Sequence, residues 1–286
     1  MVAAGTFGYG LEFKELIDFR QVGAIVTKSL TLEPRVGHDS PRIIETAAGM
    51  INAVGLANIG VRGFIKEKLP QLIDLKTRIV VSVAGHSLDE YVKVIQALNE
   101  CEGISAYEIN ISCPNVKEGG LEFCQSPRLA AEITKSVTQI AVRPCFIKLS
   151  PQVSDIAAIA KVIEEAGAGA ISLINTFVGL AIDTKKREPL LKPITGGYSG
   201  PGIKPIALAM VWKVAQAVKI PVIGMGGISS AEDAVEFLIA GATAVQIGTI
   251  NFFNPSAAQE IVSDLNLYCR KYQIEKITQI IKSLKV

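Results

Sequence analysis

The chain has 286 residues, a length that fits one large α/β domain or two small ones. Apolar residues make up 49 % and charged residues 20 %, which excludes a disordered chain; aromatics at 6 % beside abundant Ala, Val, Ile and Gly favour buried parallel strands over an antiparallel sandwich. The 29 basic and 27 acidic residues leave a net charge of +2 with no basic stripe, which argues against nucleic acid as a partner.

In chain order, β-rich runs occur at Val2–Ala4, Ala24–Thr27, Ile79–Val83, Tyr107–Ile111, Cys145–Leu149, Ala170–Ile174, Val222–Met225 and Ala244–Ile247. Helical patterns lie between them. Ile156, Ile159, Ala160 and Ile163 recur at i, i+3, i+4 and i+7, and Leu208, Val211, Trp212 and Ala215 do the same. Eight such strand–helix units predict a (β/α)8 TIM barrel. An open doubly wound sheet is the rival; near-equal units and the lack of G-x-G-x-x-G after the first strand speak against it. Two connections are too long for plain loops. The one after the second strand, Lys28 to Arg78, holds a predicted hairpin over Arg42–Asn52 and a helix over Arg62–Leu75. The one after the sixth strand, Asn175 to Pro205, is rich in Gly, Pro and Lys and reads as a long binding loop. No linker divides the chain, so residues 1–286 are expected to form a single domain.

Charged or polar residues break every apolar run before the ~18 residues that suggest a membrane span, and no secretory signal is visible. A cytoplasmic location is expected. There the thiols of Cys101, Cys113, Cys124, Cys145 and Cys269 stay reduced; none belongs to a C-x-x-C pair, so no metal or cluster site is indicated.

The unusual polar residues gather at the C-terminal ends of the strands, where barrel enzymes build their sites. Lys28 and Ser29 end the second strand, and Asn110, Ser112 and Cys113 the fourth. Lys148 ends the fifth, and Asn175 with Thr176 the sixth. Gly226 and Gly227 end the seventh, Gly248 and Thr249 the eighth. The glycines let backbone amides approach an anion, and Ser229 with Glu232 is expected to form a capping box that opens the next helix. The bland alternative is a tight turn before a capped helix. Cys113 leaves a strand into a Gly-rich stretch, Lys117–Gly120; alone it reads as a buried turn residue, while a lowered pKa would make it a base or nucleophile. Lys28 and Lys148 suit an anionic partner or a developing negative charge. Asn52, Asn110, Asn115 and Asn175 offer amides to a flat, multiply hydrogen-bonding ligand such as a pyrimidine. His38 and His86, the two histidines, read as surface or structural residues.

The segments Asn110–Lys117 (NISCPNVK), Thr27–Arg35 (TKSLTLEPR), Ile51–Leu56 (INAVGL), Leu173–Thr176 (LINT) and Gly197–Pro205 (GYSGPGIKP) are long and ordered along nearly the whole chain. With them the sequence resembles the dihydroorotate dehydrogenases, specifically the catalytic subunits of the NAD-linked class 1B. The resemblance implies FMN at the barrel mouth and oxidation of dihydroorotate to orotate in pyrimidine biosynthesis. It makes Cys113 the base that removes the C5 proton while a hydride leaves C6 for flavin N5, with Lys28 also at the reacting centre. It assigns Ala4, Gly5, Lys28, Ser29, Ser82, Asn110, Lys148, Ile174, Gly200, Gly226, Gly227, Gly248 and Thr249 to FMN. Substrate falls to Lys28, Asn52, Ala53, Val54, Gly55, Leu56, Asn110, Asn115, Asn175 and Thr176. It further implies a partner subunit carrying FAD and a [2Fe–2S] cluster that passes electrons to NAD, in a heterotetramer of two catalytic and two electron-transfer subunits.

The chain departs from the family pattern in places. Ser82 stands where an asparagine usually touches FMN, a loss worth about 1 kcal/mol if one hydrogen bond goes. Ala57 and Ile59 differ from the usual residues after Leu56. Relatives usually carry another hairpin ahead of the Met1 position, closing the bottom of the barrel. Alternative readings are a dihydropyrimidine dehydrogenase-like subunit acting on dihydrouracil, a fumarate-linked class 1A activity, and a degenerate barrel kept as an assembly subunit.

Overall fold

Strand and helix alternate because the sequence alternates between runs buried on both faces and stretches with one apolar stripe. The computed structural model describes residues 1–112 and 121–285. The chain runs through β1 (Ala24–Val26), β2 (Ile43–Thr46) and β3 (Gly49–Asn52) into α1 (Gly60–Gly63) and α2 (Leu69–Ile73), which a π-helical turn over Phe64–Lys68 joins. Next come β4 (Arg78–Val83), α3 (Leu88–Asn99), β5 (Ile104–Asn110), α4 (Leu121–Gln125), α5 (Pro127–Ile140), β6 (Cys145–Leu149), α6 (Ile156–Glu165) and β7 (Ala170–Leu173). Four short strands follow: β8 (Phe177–Leu180), β9 (Ile182–Asp183), β10 (Glu188–Pro189) and β11 (Thr195–Ser199). The chain then continues through α7 (Lys204–Ala217), β12 (Val222–Met225), α8 (Ala231–Ala240), β13 (Ala244–Gln246) and α9 (Ala257–Lys271).

The parallel sheet has the order β1-β4-β5-β6-β7-β12-β13. Val2 closes it: it bridges Ile25 on one side and Ile247 on the other, both in parallel. Val26 N–H donates to Val2 O at 3.2 Å and Ala3 N–H to Ile247 O at 2.8 Å. The expected first strand is therefore a single bridging residue in the eighth barrel position. The other seven expected strands are all present, and those at Cys145–Leu149 and Val222–Met225 have the expected bounds.

Helices ring the barrel and bury one stripe each. In α6 the buried residues are Ile156, Ile159, Ala160 and Ile163, as the spacing predicts. In α7 they are Ala207, Val211, Val214 and Ala215, so the expected face is rotated; Leu208 and Trp212 are only partly buried. Small Ala207 meets the glycine loop after β12, a packing demand that hydrophobic periodicity does not encode.

Two further results correct the sequence reading. The stretch from Asn175 to Pro205, expected as one long binding loop, holds four short strands. Its β8 and β11 join the β2–β3 hairpin in a four-stranded antiparallel sheet, β2-β3-β11-β8, with Gly197 opposite Asn52. A side chain at Gly197 would collide with Thr176 Oγ1, so only glycine lets this strand lie against the end of β7. The capping box of α8 is Ser230 with Asp233, one residue beyond the expected Ser229 and Glu232. Ser230 Oγ accepts from Asp233 N–H at 3.1 Å, and Asp233 Oδ2 takes the N–H groups of both Ser229 and Ser230. Ser229 comes a residue too early to reach the first turn of the helix. Accordingly, Ser230→Ala should cost about 1 kcal/mol in urea unfolding, whereas Glu232→Ala, on an exposed side chain, should stay within about 0.5 kcal/mol.

Candidate active site

Successive strand residues alternate between the helices and the barrel interior. From β5, Tyr107 and Ile109 pack outward into the main core, while Ala106, Glu108 and Asn110 form a row pointing inward. Ala106 joins Ala24, Val26, Val80 and Phe146 in an apolar plug. One step up, Glu108 meets Lys148, Ser172 and Gln246. One step further, Asn110 lines an open cavity of about 350 Å³ at the C-terminal ends of the strands.

The structure brings most of the expected site residues to this one cavity. The barrel contributes Ala4, Gly5, Lys28, Ser29, Asn110, Lys148, Ile174, Asn175 and Thr176. The hairpin contributes Asn52, Val54, Gly55 and Leu56, and the far end Gly200, Gly226, Gly227, Gly248 and Thr249. Two expected residues stand behind the lining. Ser82 is fully buried, its hydroxyl 2.8 Å from that of Ser29, and Ala53 packs under the hairpin with Ile51 and Leu191. Cys113 and Asn115 lie outside the described residues, as does Lys117–Gly120.

Hydrogen bonds set the direction of the asparagines. Asn110 Nδ2 donates to Ser29 Oγ at 3.3 Å, and its Oδ1 accepts from both the N–H and the hydroxyl of Ser112. Asn175 Nδ2 donates to Ser112 O and Oγ at 3.0 and 2.9 Å, while its Oδ1 accepts from Thr176 N–H. Ser112 thus ties the ends of β5 and β7 together. Asn52 Nδ2 donates to Gly197 O at 3.2 Å, fixing the hairpin to β11.

Three cations and no carboxylate line the cavity among the described residues: Lys28, Arg42 and Lys148. Burial pushes the Lys28 ammonium below the usual lysine range; Arg42 pushes the same way and Glu12 opposes both. Sequence reasoning missed Arg42, which the hairpin carries over the mouth, with its Nη1 donating to His38 O at 3.2 Å. A lone arginine at the start of a hairpin carries no sequence signal of its own. His38 serves the hairpin, with Nδ1 2.9 Å from Ala53 O, and His86 pairs with Arg35 on the surface.

The glycine end is shaped for a group held by backbone. Gly226 and Gly227 have φ of 125° and 77°, and a Cβ on Gly227 would stand 2.8 Å from Gly200 O. Just ahead of α8, Asp233 takes the N–H groups of Ser229 and Ser230.

Fold and site together define a (β/α)8 barrel with a small-molecule cavity, basic and amide-lined, at its C-terminal mouth. The sequence profile of the family described as dihydroorotate dehydrogenase matches residues 1–268, and the chain belongs to that family. Its relatives include proteins named dihydroorotate dehydrogenase B (NAD(+)), catalytic subunit. That of Geotalea daltonii is 50 % identical over 100 % of this chain and 94 % of its own length. That of Porphyromonas gingivalis is 50 % identical over 100 % and 93 %, and that of Citrifermentans bemidjiense 48 % over 100 % and 94 %. No helix among the described residues is long and apolar enough to cross a membrane.

The Lys28 shift has a sign that can be checked. A lysine whose folded pKa lies below its unfolded value of 10.5 costs stability while charged. That cost is full below the folded value and disappears as pH rises to the unfolded one. Lys28→Met should therefore raise the melting temperature of the ligand-free protein at pH 7, with a gain that shrinks toward pH 10.5.

Proposed function

We propose that this chain oxidises dihydroorotate to orotate in pyrimidine biosynthesis, with FMN bound in the cavity. The observation that carries the reading is the convergence of Lys28, Asn110, Lys148, Asn175 and the Gly226–Gly227 amides on one cavity in a member of this family. The residues present fit the cofactor. The glycine amides and the Cβ-free cradle suit its phosphate, and Lys148 at the floor suits the electron-rich edge of its ring. When bound, FMN supplies a two-electron acceptor that takes the hydride from substrate C6.

The chain's own residues do the rest. Cys113 takes the C5 proton, a role that the resemblance assigns to it. Lys28 and Arg42 bring positive charge to the side where an anionic substrate binds. Asn52, Asn110 and Asn175, held by hydrogen bonds from the protein, orient the planar ring against the cofactor. Ser82, behind Ser29, acts on the site through the Ser29 hydroxyl. A partner subunit carrying FAD and a [2Fe–2S] cluster would supply the route by which the electrons reach NAD. The names of the relatives, which specify NAD(+) and a catalytic subunit, support NAD as the acceptor and the presence of a partner subunit.

A dihydropyrimidine dehydrogenase-like activity is the second reading. The two cations Lys28 and Arg42 favour a substrate with a carboxylate, which dihydrouracil lacks. Dihydroorotate should bleach the flavin absorbance of the purified protein, and dihydrouracil should not; the reverse result rejects the proposal. Cys113→Ala should retain FMN and lose turnover by about 10²–10⁴-fold, measured as the rate of flavin reduction.

A further inference from the structure

The cavity is lined by cations, yet its floor rests on a carboxylate. Glu108 points inward from the middle of β5 and is 0 % exposed, and Lys148 beside it is 5 % exposed. Glu108 Oε1 lies 3.4 Å from Lys148 Nζ. Its Oε2 accepts from Ser172 Oγ at 3.1 Å and from Gln246 Nε2 at 2.8 Å. The partners come from β6, β7 and β13, so one carboxylate spans the barrel. Such a pair is a poor way to gain stability, because well-packed apolar side chains of the same volume do as well or better. What apolar packing cannot do is fix a flexible lysine stem and offset its charge.

We propose that Glu108 is a positioning residue: clamped by Ser172 and Gln246, its carboxylate holds the Lys148 ammonium at the cavity floor and sets the net positive field felt by the ligand above. The inference rests on reading the cavity as the FMN site. With the carboxylate in place, Lys148 stabilises added negative charge less than an uncompensated ammonium would. Neutralising Glu108 removes that offset, so a ligand that gains electrons becomes easier to reduce.

The test is the flavin midpoint potential of the Glu108→Gln holoprotein, read by absorbance against a reference dye at fixed pH. Glutamine keeps the shape and an acceptor for Lys148. Gln246 Oε1, which has no partner among the described residues, can take the new amide N–H after its own amide turns over. One charge at this range in a protein interior should raise the reduced-to-oxidised ratio at a given dye ratio by about tenfold. In a Lys148→Gln background only the direct field of the carboxylate is left to remove, so the same substitution should change that ratio by clearly less, the difference being the part that acts through the held ammonium. Glu108→Asp keeps the charge but draws it back from Lys148; it should shift the ratio the same way by less, and it carries the test if the glutamine variant does not fold. An unmoved potential in flavin-loaded Glu108→Gln, or in Glu108→Asp where that variant carries the test, overturns the inference. So does an equal shift with and without Lys148, and so does a fall in melting temperature at unchanged potential. A wild-type protein that retains no FMN fails the reading of the cavity and takes the inference with it. A wild-type protein that holds FMN beside an unmoved variant fails the inference alone.

Discussion

A strand in a closed barrel offers each residue two directions, inward or outward, and the choice alternates without exception along a regular strand. That constraint builds the site. Along β5 it sends Tyr107 and Ile109 to the helices and Ala106, Glu108 and Asn110 to the interior. Along β6 it stacks Lys148 above Phe146 in the same way. The interior is thus layered: a plug of apolar side chains, then a polar floor, then the cavity. A one-residue slip of β5 would put Tyr107 and Ile109 where Glu108 and Asn110 now stand. The register Asn110 with Lys148 and Lys148 with Ser172 is what makes neighbouring strands present matching polar atoms at one height.

The electrostatics follow from that layering. Burial, and after it the nearby Arg42, lowers the Lys28 pKa, so charge at the mouth is held at a cost. The fold answers the most deeply buried of them, Lys148, with a carboxylate at the next level down. It leaves Lys28 and Arg42 without a carboxylate in the lining, where an anionic ligand can supply the missing charge. Stability given up in this way is a usual feature of preorganised sites, where a bound ligand can restore it.

Much of this was legible in the sequence because buried parallel strands are continuous apolar runs. The bounds of β6 and β12 follow from Cys145–Leu149 and Val222–Met225 directly. The polar residues at strand ends stand out for the same reason, as breaks in those runs. Glu108 did not stand out, since one acid inside Tyr107–Ile111 gives no hint that Lys148, Ser172 and Gln246 will surround it; those partners are set by closure of the barrel. The strands β8 and β11 were hidden because Thr195–Ser199, with two glycines, has no apolar alternation to read. The α8 cap was misplaced by one residue because Ser229-x-x-Glu232 and Ser230-x-x-Asp233 are both acceptable signatures, and only the helix start decides between them.

The two sheets divide the labour of the site. The barrel fixes the floor through hydrogen bonds in the protein interior. The antiparallel sheet fixes the roof, since the pairing of Gly197 with Asn52 anchors the hairpin from which Val54 to Leu56 reach the cavity. The two meet where Thr176 packs against Gly197 and where Thr249 Oγ1 donates to Ser199 Oγ at 2.9 Å. A larger residue at Gly197 would lift the roof from the end of β7 and leave the floor intact. The contact of Thr176 with Gly197 thus holds the antiparallel sheet against the end of β7.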